Sequence, residues 1–185
     1  MKKAGEMVTP PVFSRNPGVV DGFRAVYNYS NEFQKIILEM KYFRKKSIAE
    51  RLGYAMSSIV VSDVEYKEAD YLVPVPLHKL KFRERGYNQS KLLAESIAKV
   101  TGISVNVHLL KRVVYTKAQA KLNASQRMKN VSGAFQLAES NGLVGSVIIL
   151  VDDVLTTGST LFECAKLLKT AGAAKILTLT AAQAL

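Results

Sequence analysis

Apolar and polar positions alternate along this chain in two different rhythms. FRAVYNY (residues 23–29) alternates closely enough to predict a strand, and Ser30 or Asn31 then offers an N-cap. Phe33, Ile36, Ile37 and Met40 follow at i, i+3, i+4 and i+7, one stripe of a helix. A second helical stretch, SIAERLGYAMSSIV, comes after the basic turn FRKK. YLVPVPL (71–77) reads as a strand that Pro74 and Pro76 should end, because proline cannot donate to a ladder. Helical spacing returns from Asn88 to Val100, with Leu93, Ile97 and Val100 on one face and Gly102 as the stop. VNVHLL (105–110) is a short apolar segment, and residues 111–130 have no apolar period and read as a long loop. SVIILV (146–151) has the unbroken run of a buried strand. Thr160 to Leu168 reads as a helix stopped near Gly172, and KILTLTA (175–181) as a last strand.

Strands that are near-continuous apolar runs, alternating with helices, predict an α/β fold with a mostly parallel sheet covered on both faces. The expected organisation is one domain over 23–185, preceded by a loosely ordered lead-in at 1–22 with prolines at 10, 11 and 17. No apolar run is long enough to span a bilayer, so no membrane insertion is expected. The start, MKKAGEMVTPPVF, lacks the apolar region of a secretory leader, and Cys164 is the only cysteine. A soluble, cytoplasmic protein is the expectation. The net charge of +11 points to polyanionic partners, either nucleic acid or phosphate-rich small molecules.

The chemistry concentrates in SVIILVDDVLTTGST (146–160). A strand that ends in Asp152 and Asp153 places two carboxylates at the edge where ligands of parallel sheets sit. The loop that follows enters a helix, whose free N–H groups and positive dipole end favour a phosphate. Gly158 removes a side chain that would block close approach. The carboxylates would repel a phosphate, so they suit sugar hydroxyls or a hydrated magnesium ion instead. Spacing excludes a P-loop, which needs a lysine here, and a calcium loop, which needs acids at alternate positions.

This stretch resembles the phosphoribosyl-pyrophosphate (PRPP) motif of type I phosphoribosyltransferases. VPVPLHKLKFRERGYNQS (73–90) resembles the ComF subgroup's Pro-x-Pro-Leu and Arg-Gly-(Phe/Tyr)-Asn-Gln segment. Arg112, Thr116, Gln119, Leu122, Arg127, Asn130 and Ala134-Phe135 fall at the spacing of its second block. The resemblance runs from about Tyr27 to the C-terminus. It implies a type I phosphoribosyltransferase fold with a flexible active-site loop, and a link to competence and DNA uptake. It also implies that Asp152 and Asp153 hold the ribose hydroxyls, and that Thr156, Thr157, Gly158, Ser159 and Thr160 cradle the 5-phosphate. Many members of the subgroup begin with a four-cysteine zinc ribbon, a set that one cysteine cannot supply.

Val75, Pro76 and Leu77 would begin the pyrophosphate turn, with Arg83, Arg85, Arg112 and Arg127 as contacts, since guanidinium forks match such oxygens. Thr116, Gln119 and Asn130 fall in the segment expected to close over the site, as long loops in compact domains often do. Magnesium would be held mainly through PRPP rather than by protein ligands. His78 is a candidate participant, although a lone histidine there is more often structural. Residues 79–91 carry five basic residues and one acid, and residues 111–138 carry six and none.

Three functions fit these features. The first is Mg²⁺-dependent transfer of phosphoribose with release of pyrophosphate. The second is a non-catalytic module binding single-stranded DNA, with Tyr42 and Phe43 stacking on bases, although core packing suits at least one of them better. The third is a PRPP-sensing regulator of a partner in the competence machinery. Cys164, on an apolar helix face, is expected in the core.

Overall fold

The apolar runs pair into a sheet whose middle they occupy. The computed structural model describes residues 8–115, 126, 130–138 and 142–184. Among these, β1 (Gly22–Asn28), β2 (Tyr71–Pro74), β3 (Ser104–Val105), β6 (Val147–Leu155) and β7 (Lys175–Gln183) form one sheet, ordered β1-β7-β6-β2-β3. Each of its pairings is parallel. Two short strands, β4 (Leu110–Arg112) and β5 (Phe135–Leu137), form a separate antiparallel pair.

Helices cover both faces. α2 (Asn31–Tyr42), α3 (Lys46–Ser62) and α6 (Gln89–Thr101) pack with Ile149, Val151, Leu177 and Leu179 in one buried cluster. α7 (Ser159–Thr170) and the single turn α1 (Pro11–Ser14) pack with Ile148, Leu150 and Ile176 in the other. Alternation along residues 147–151 of β6 sends odd-numbered residues to the α2 side and even-numbered ones to the α7 side, and past the aspartates the order reverses, with Val154 on the α2 side and Leu155 on the α7 side. Ser30 caps α2, its side chain accepting from the Phe33 N–H, and Asn88 caps α6 by accepting from the Ser90 N–H. The short helices α4 (Val64–Lys67) and α5 (Lys79–Arg85) complete the set described here.

The chain leaves β2 through α6 to reach β3 on one side. It leaves β6 through α7 to reach β7 on the other. The sheet order thus reverses between β2 and β6, and the crevice beyond their carboxyl ends is the switch point where open α/β sheets bind ligands.

Several expectations change in detail. β6 does not end at Val151 but runs to Leu155, because β7 is long enough to keep pairing with it, Asp152 opposite Thr180 and Leu155 opposite Gln183. The two aspartates therefore lie within the strand. The basic stretch after Leu77 forms a helix, α5, capped by His78. Val100 is half exposed, and the buried face of α6 is Ser90, Leu93, Ala94 and Ile97 instead. In the lead-in, Val12 and Phe13 are buried against the α7 side of the core. No described helix is long and apolar enough to cross a membrane.

Candidate active site

The two acids are adjacent in β6, and each is held by its own partner. Asp153 is 4% exposed. Its Oδ1 accepts the Val154 N–H at 3.0 Å, and its Oδ2 is ion-paired with the Lys41 ammonium. Asp152 accepts the Ser90 hydroxyl of α6 at 2.8 Å and the Asp153 N–H at 2.9 Å, both on Oδ1. Burial, then the charge of Asp153, pushes the Asp152 carboxyl up to about 7, with Lys41 and Ser90 opposing. Arg112 on β4 carries a positive charge toward Asp152; burial pulls it below its ordinary value and Asp152 opposes that. Its guanidinium lies 5.1 Å from the centre of the Phe135 ring.

The loop expected to hold a phosphate follows at once. Gly158 has φ +80° and is the N-cap residue of α7, with no side chain of its own, and the Ser159 N–H donates to Thr157 Oγ1 at 3.5 Å. Thr157 Oγ1 and Ser159 Oγ are hydrogen-bonded at 2.9 Å, while Thr156 is exposed and Thr160 half-buried. The helix N-terminus therefore offers backbone N–H groups ringed by hydroxyls.

The 75–77 turn, expected to contact pyrophosphate, lies alongside. Val75 continues the ladder, its N–H donating to the Val151 carbonyl at 3.0 Å, and Pro76 and Leu77 turn away half-buried. The motif RGYNQS (85–90) fixes this turn to everything around it. Asn88 Nδ2 donates to the Val75 carbonyl at 3.0 Å, and Ser90 reaches Asp152. Tyr87, buried, donates its hydroxyl to the Met40 carbonyl at the end of α2. Arg85 donates to Gln89 Oε1 and lies 6.0 Å from the centre of the Tyr42 ring.

Asp152, Asp153 and the 156–160 loop thus lie at the carboxyl end of β6, with the 75–77 turn beside it, Arg112 acting on Asp152 and Arg85 near Lys41. Arg83 is exposed on α5. Asn130 is half-buried in a helical turn, and Thr116, Gln119 and Arg127 lie outside the described residues. His78 is buried and its Nδ1 accepts the Leu80 N–H at 3.3 Å, a capping role. Cys164 is fully buried in the core and burial pushes its thiol up. Tyr42 and Phe43 are 61% and 71% exposed, so neither packs in the core, because α2 ends there and the chain turns outward.

Lys41 and Ser90 are the partners of the acids that the sequence reading passed over. Each carried a signal. Lys41 lies four residues after Ile37, on the buried stripe of α2, and Ser90 shares the buried face of α6. A polar residue on an apolar stripe needs a partner.

Comparison with known proteins places the chain in a family. The family model for the phosphoribosyl transferase domain matches residues 91–184. Competence protein F of Haemophilus influenzae is 40% identical over 113 residues, covering 60% of this chain and 49% of that protein. DNA utilization protein YhgH of Escherichia coli K12 is 30% identical over 174 residues, covering 90% of this chain and 71% of that protein. This chain therefore spans about half the length of the first relative and under three quarters of the second. Among solved structures, glutamine PRPP amidotransferase from B. subtilis, complexed with ADP and GMP, superposes with a TM-score of 0.51 at 18% identity. That match covers 78% of this chain and 30% of the amidotransferase, a likeness of fold. With a five-stranded parallel sheet, helices on both faces and these relatives, the chain belongs to the ComF/YhgH family of phosphoribosyltransferase-domain proteins.

Proposed function

We propose that this chain binds PRPP with magnesium and transfers its phosphoribosyl group to an acceptor, releasing pyrophosphate, in the service of DNA uptake or use. The observation that carries this reading is the pair Asp152 and Asp153. The two acids have separate partners and are followed within five residues by a helix N-terminus at the sheet's switch point. The carboxylates would accept the ribose hydroxyls, and the N–H groups and hydroxyls of 156–160 would hold the 5-phosphate. Residues 75–77, Arg85 and Arg112 would line the pyrophosphate side. In the transfer, the C1–O bond to pyrophosphate breaks and the leaving group takes the electron pair. The acceptor bonds to C1 and gives up a proton. These side chains orient the sugar and stabilise charge, which accounts for most of such a rate.

Magnesium fits this arrangement as a passenger of the substrate. Among the described residues no cluster of three His, Cys, Asp or Glu side chains could hold a metal, and an ion that keeps its waters and binds phosphates needs none. When bound, it supplies charge neutralisation on the departing pyrophosphate. Calorimetric titration of PRPP with and without Mg²⁺ tests the reading. The parent should bind, and Asp152→Asn/Asp153→Asn should bind at least about tenfold more weakly, about 1.4 kcal/mol. A parent that binds no PRPP would overturn it.

A second reading has its own support. The exposed Tyr42 and Phe43 adjoin Arg44, Lys45 and Lys46, a stacking surface among cations that suits single-stranded nucleic acid. It predicts binding of single-stranded DNA that weakens steeply with salt and is lost in Tyr42→Ala/Phe43→Ala. Absence of binding at low salt removes it.

A further inference from the structure

Lysine is seldom enclosed unless it is paired, and Lys41 is both enclosed and paired. Its side chain is 23% exposed and that of its partner Asp153 only 6%. Burial pulls the ammonium down. The charge and hydrogen bond of Asp153, helped by Asp152 and opposed by Arg85, more than offset this and hold Lys41 above its ordinary value. The C-terminal turn of α2 favours a cation at this position, and the Tyr87 hydroxyl pins that turn through the Met40 carbonyl. Lys41 is thus an anchored cation at the ribose acids, with no part in the motif that named them.

Resting on the PRPP reading above, we propose that Lys41 is a positioning residue of the ribose site: its ammonium holds the Asp153 carboxylate in place to accept a ribose hydroxyl. Each carboxylate oxygen accepts two hydrogen bonds, so the Val154 N–H and Lys41 leave lone pairs for the sugar. Without the ammonium, Asp153 is a buried carboxylate with no ion-pair partner among the described residues, and nothing holds its Oδ2 in place. The groups that act on the pair are Lys41 from α2, Arg85 from α5, Ser90 from α6, Arg112 from β4 and Cys164 from α7. Of these, Lys41 alone forms an ion pair with Asp153 among the described residues.

The test titrates PRPP and, separately, inorganic pyrophosphate into the parent, Lys41→Met and Lys41→Arg. Lys41→Met should bind PRPP roughly tenfold or more weakly, and Lys41→Arg, which keeps a cation at this place, should bind it nearer the parent. Pyrophosphate, which has no ribose, should bind all three alike. Lys41→Met/Asp153→Asn removes both charges of the pair, and it should bind PRPP weakly. If Lys41→Met does not fold, that double variant decides, and parent-like PRPP affinity in it overturns the proposal. Equal losses for PRPP and pyrophosphate would also overturn it, since they mean general disruption. So would tighter PRPP binding by Lys41→Met, which would make the ammonium a plug. A parent that binds pyrophosphate but no PRPP defeats the PRPP reading itself, and the role of Lys41 falls with it.

Discussion

The hydroxyl of Ser90 reaches across 62 positions of sequence to donate to Asp152 at 2.8 Å. The neighbouring Asp153 is held by the Lys41 ammonium. One carboxylate thus has a neutral partner and the other a cation. Two like charges can sit side by side in this strand because each has a partner of its own, Ser90 from α6 and Lys41 from α2, both supplied by helices of the same face. The asymmetry has a thermodynamic consequence, because the acid with the neutral partner is the one that gains a proton most easily.

Burial and Asp153 push Asp152 up to about 7 from an ordinary 3.8. An acid raised on folding binds its proton more tightly in the folded state. From about pH 4 to 7, therefore, the folded protein keeps a proton that the unfolded chain has released. Stability from this group is highest at low pH, falls through that window and is level above it. Asp152→Asn removes the effect. The variant should be more stable than the parent at pH 8, by about 1–3 kcal/mol, with the difference shrinking toward pH 4. Thermal melts of the ligand-free proteins at each pH measure it, and a difference independent of pH would refute it.

Asn88 does two jobs with one side chain. Its Oδ1 caps α6 at the Ser90 N–H and its Nδ2 holds the Val75 carbonyl, each at 3.0 Å. Asn88→Ala should cost about 1–2 kcal/mol and also loosen the 75–77 turn, weakening pyrophosphate binding. Tyr87→Phe frees only the Met40 carbonyl and should cost about 1 kcal/mol, with pyrophosphate binding intact. Urea titrations and calorimetry separate the two. Equal effects on pyrophosphate would mean the turn is not held by Asn88.

These contacts show where the sequence was readable and where it was not. The strand-loop-helix order around Asp152, Asp153 and Gly158 follows from local signals: an apolar run, paired acids, a glycine before a hydroxyl-rich helix start. The length of β6 does not, since it depends on how far β7 extends beside it. Lys41 is similar. Among FRKK and its neighbours it looks like one more surface cation, and only the packing of α2 against the sheet brings it to Asp153. Tyr42 and Phe43 mislead in the other direction, because two large aromatics beside an apolar stripe suggest core, yet they lie past the helix's last buried position. α5 went unread because a seven-residue helix with none of its residues buried leaves no periodicity to find.

Gly53 sits where α3 and α6 cross at their closest. A Cβ there would lie 2.6 Å from Ser96 Cβ and 2.7 Å from the Leu93 carbonyl oxygen. Alanine gains about 1 kcal/mol of helix propensity over glycine. Here the obstructing oxygen is backbone and cannot rotate aside, so the helices must separate. Gly53→Ala should therefore be destabilising by a net of about 1–3 kcal/mol, read from denaturant midpoints. A stabilised variant would show that the two helices can part freely.

Gly158 joins the lead-in to the 156–160 loop, proposed to hold the 5-phosphate. Its φ of +80° strains any residue with a side chain, and a Cβ there would lie 3.0 Å from Val12 Cγ1 and 3.1 Å from Phe13 Cε1. Gly158→Ala should lose about 1–3 kcal/mol of stability from the two causes together, and PRPP should stabilise it less than the parent because the loop N–H groups are displaced. Val12→Ala in the same chain removes the nearer contact but not the backbone strain. The double variant should therefore regain part of the PRPP-dependent rise in Tm, although Val12→Ala alone costs stability by opening a cavity. Recovery in ligand response without recovery in stability would be a result that strain alone does not give. It would mean that α1 sets the height of the phosphate loop through Val12. If the double variant responds to PRPP no better than Gly158→Ala, the turn fills space beneath the loop without positioning it.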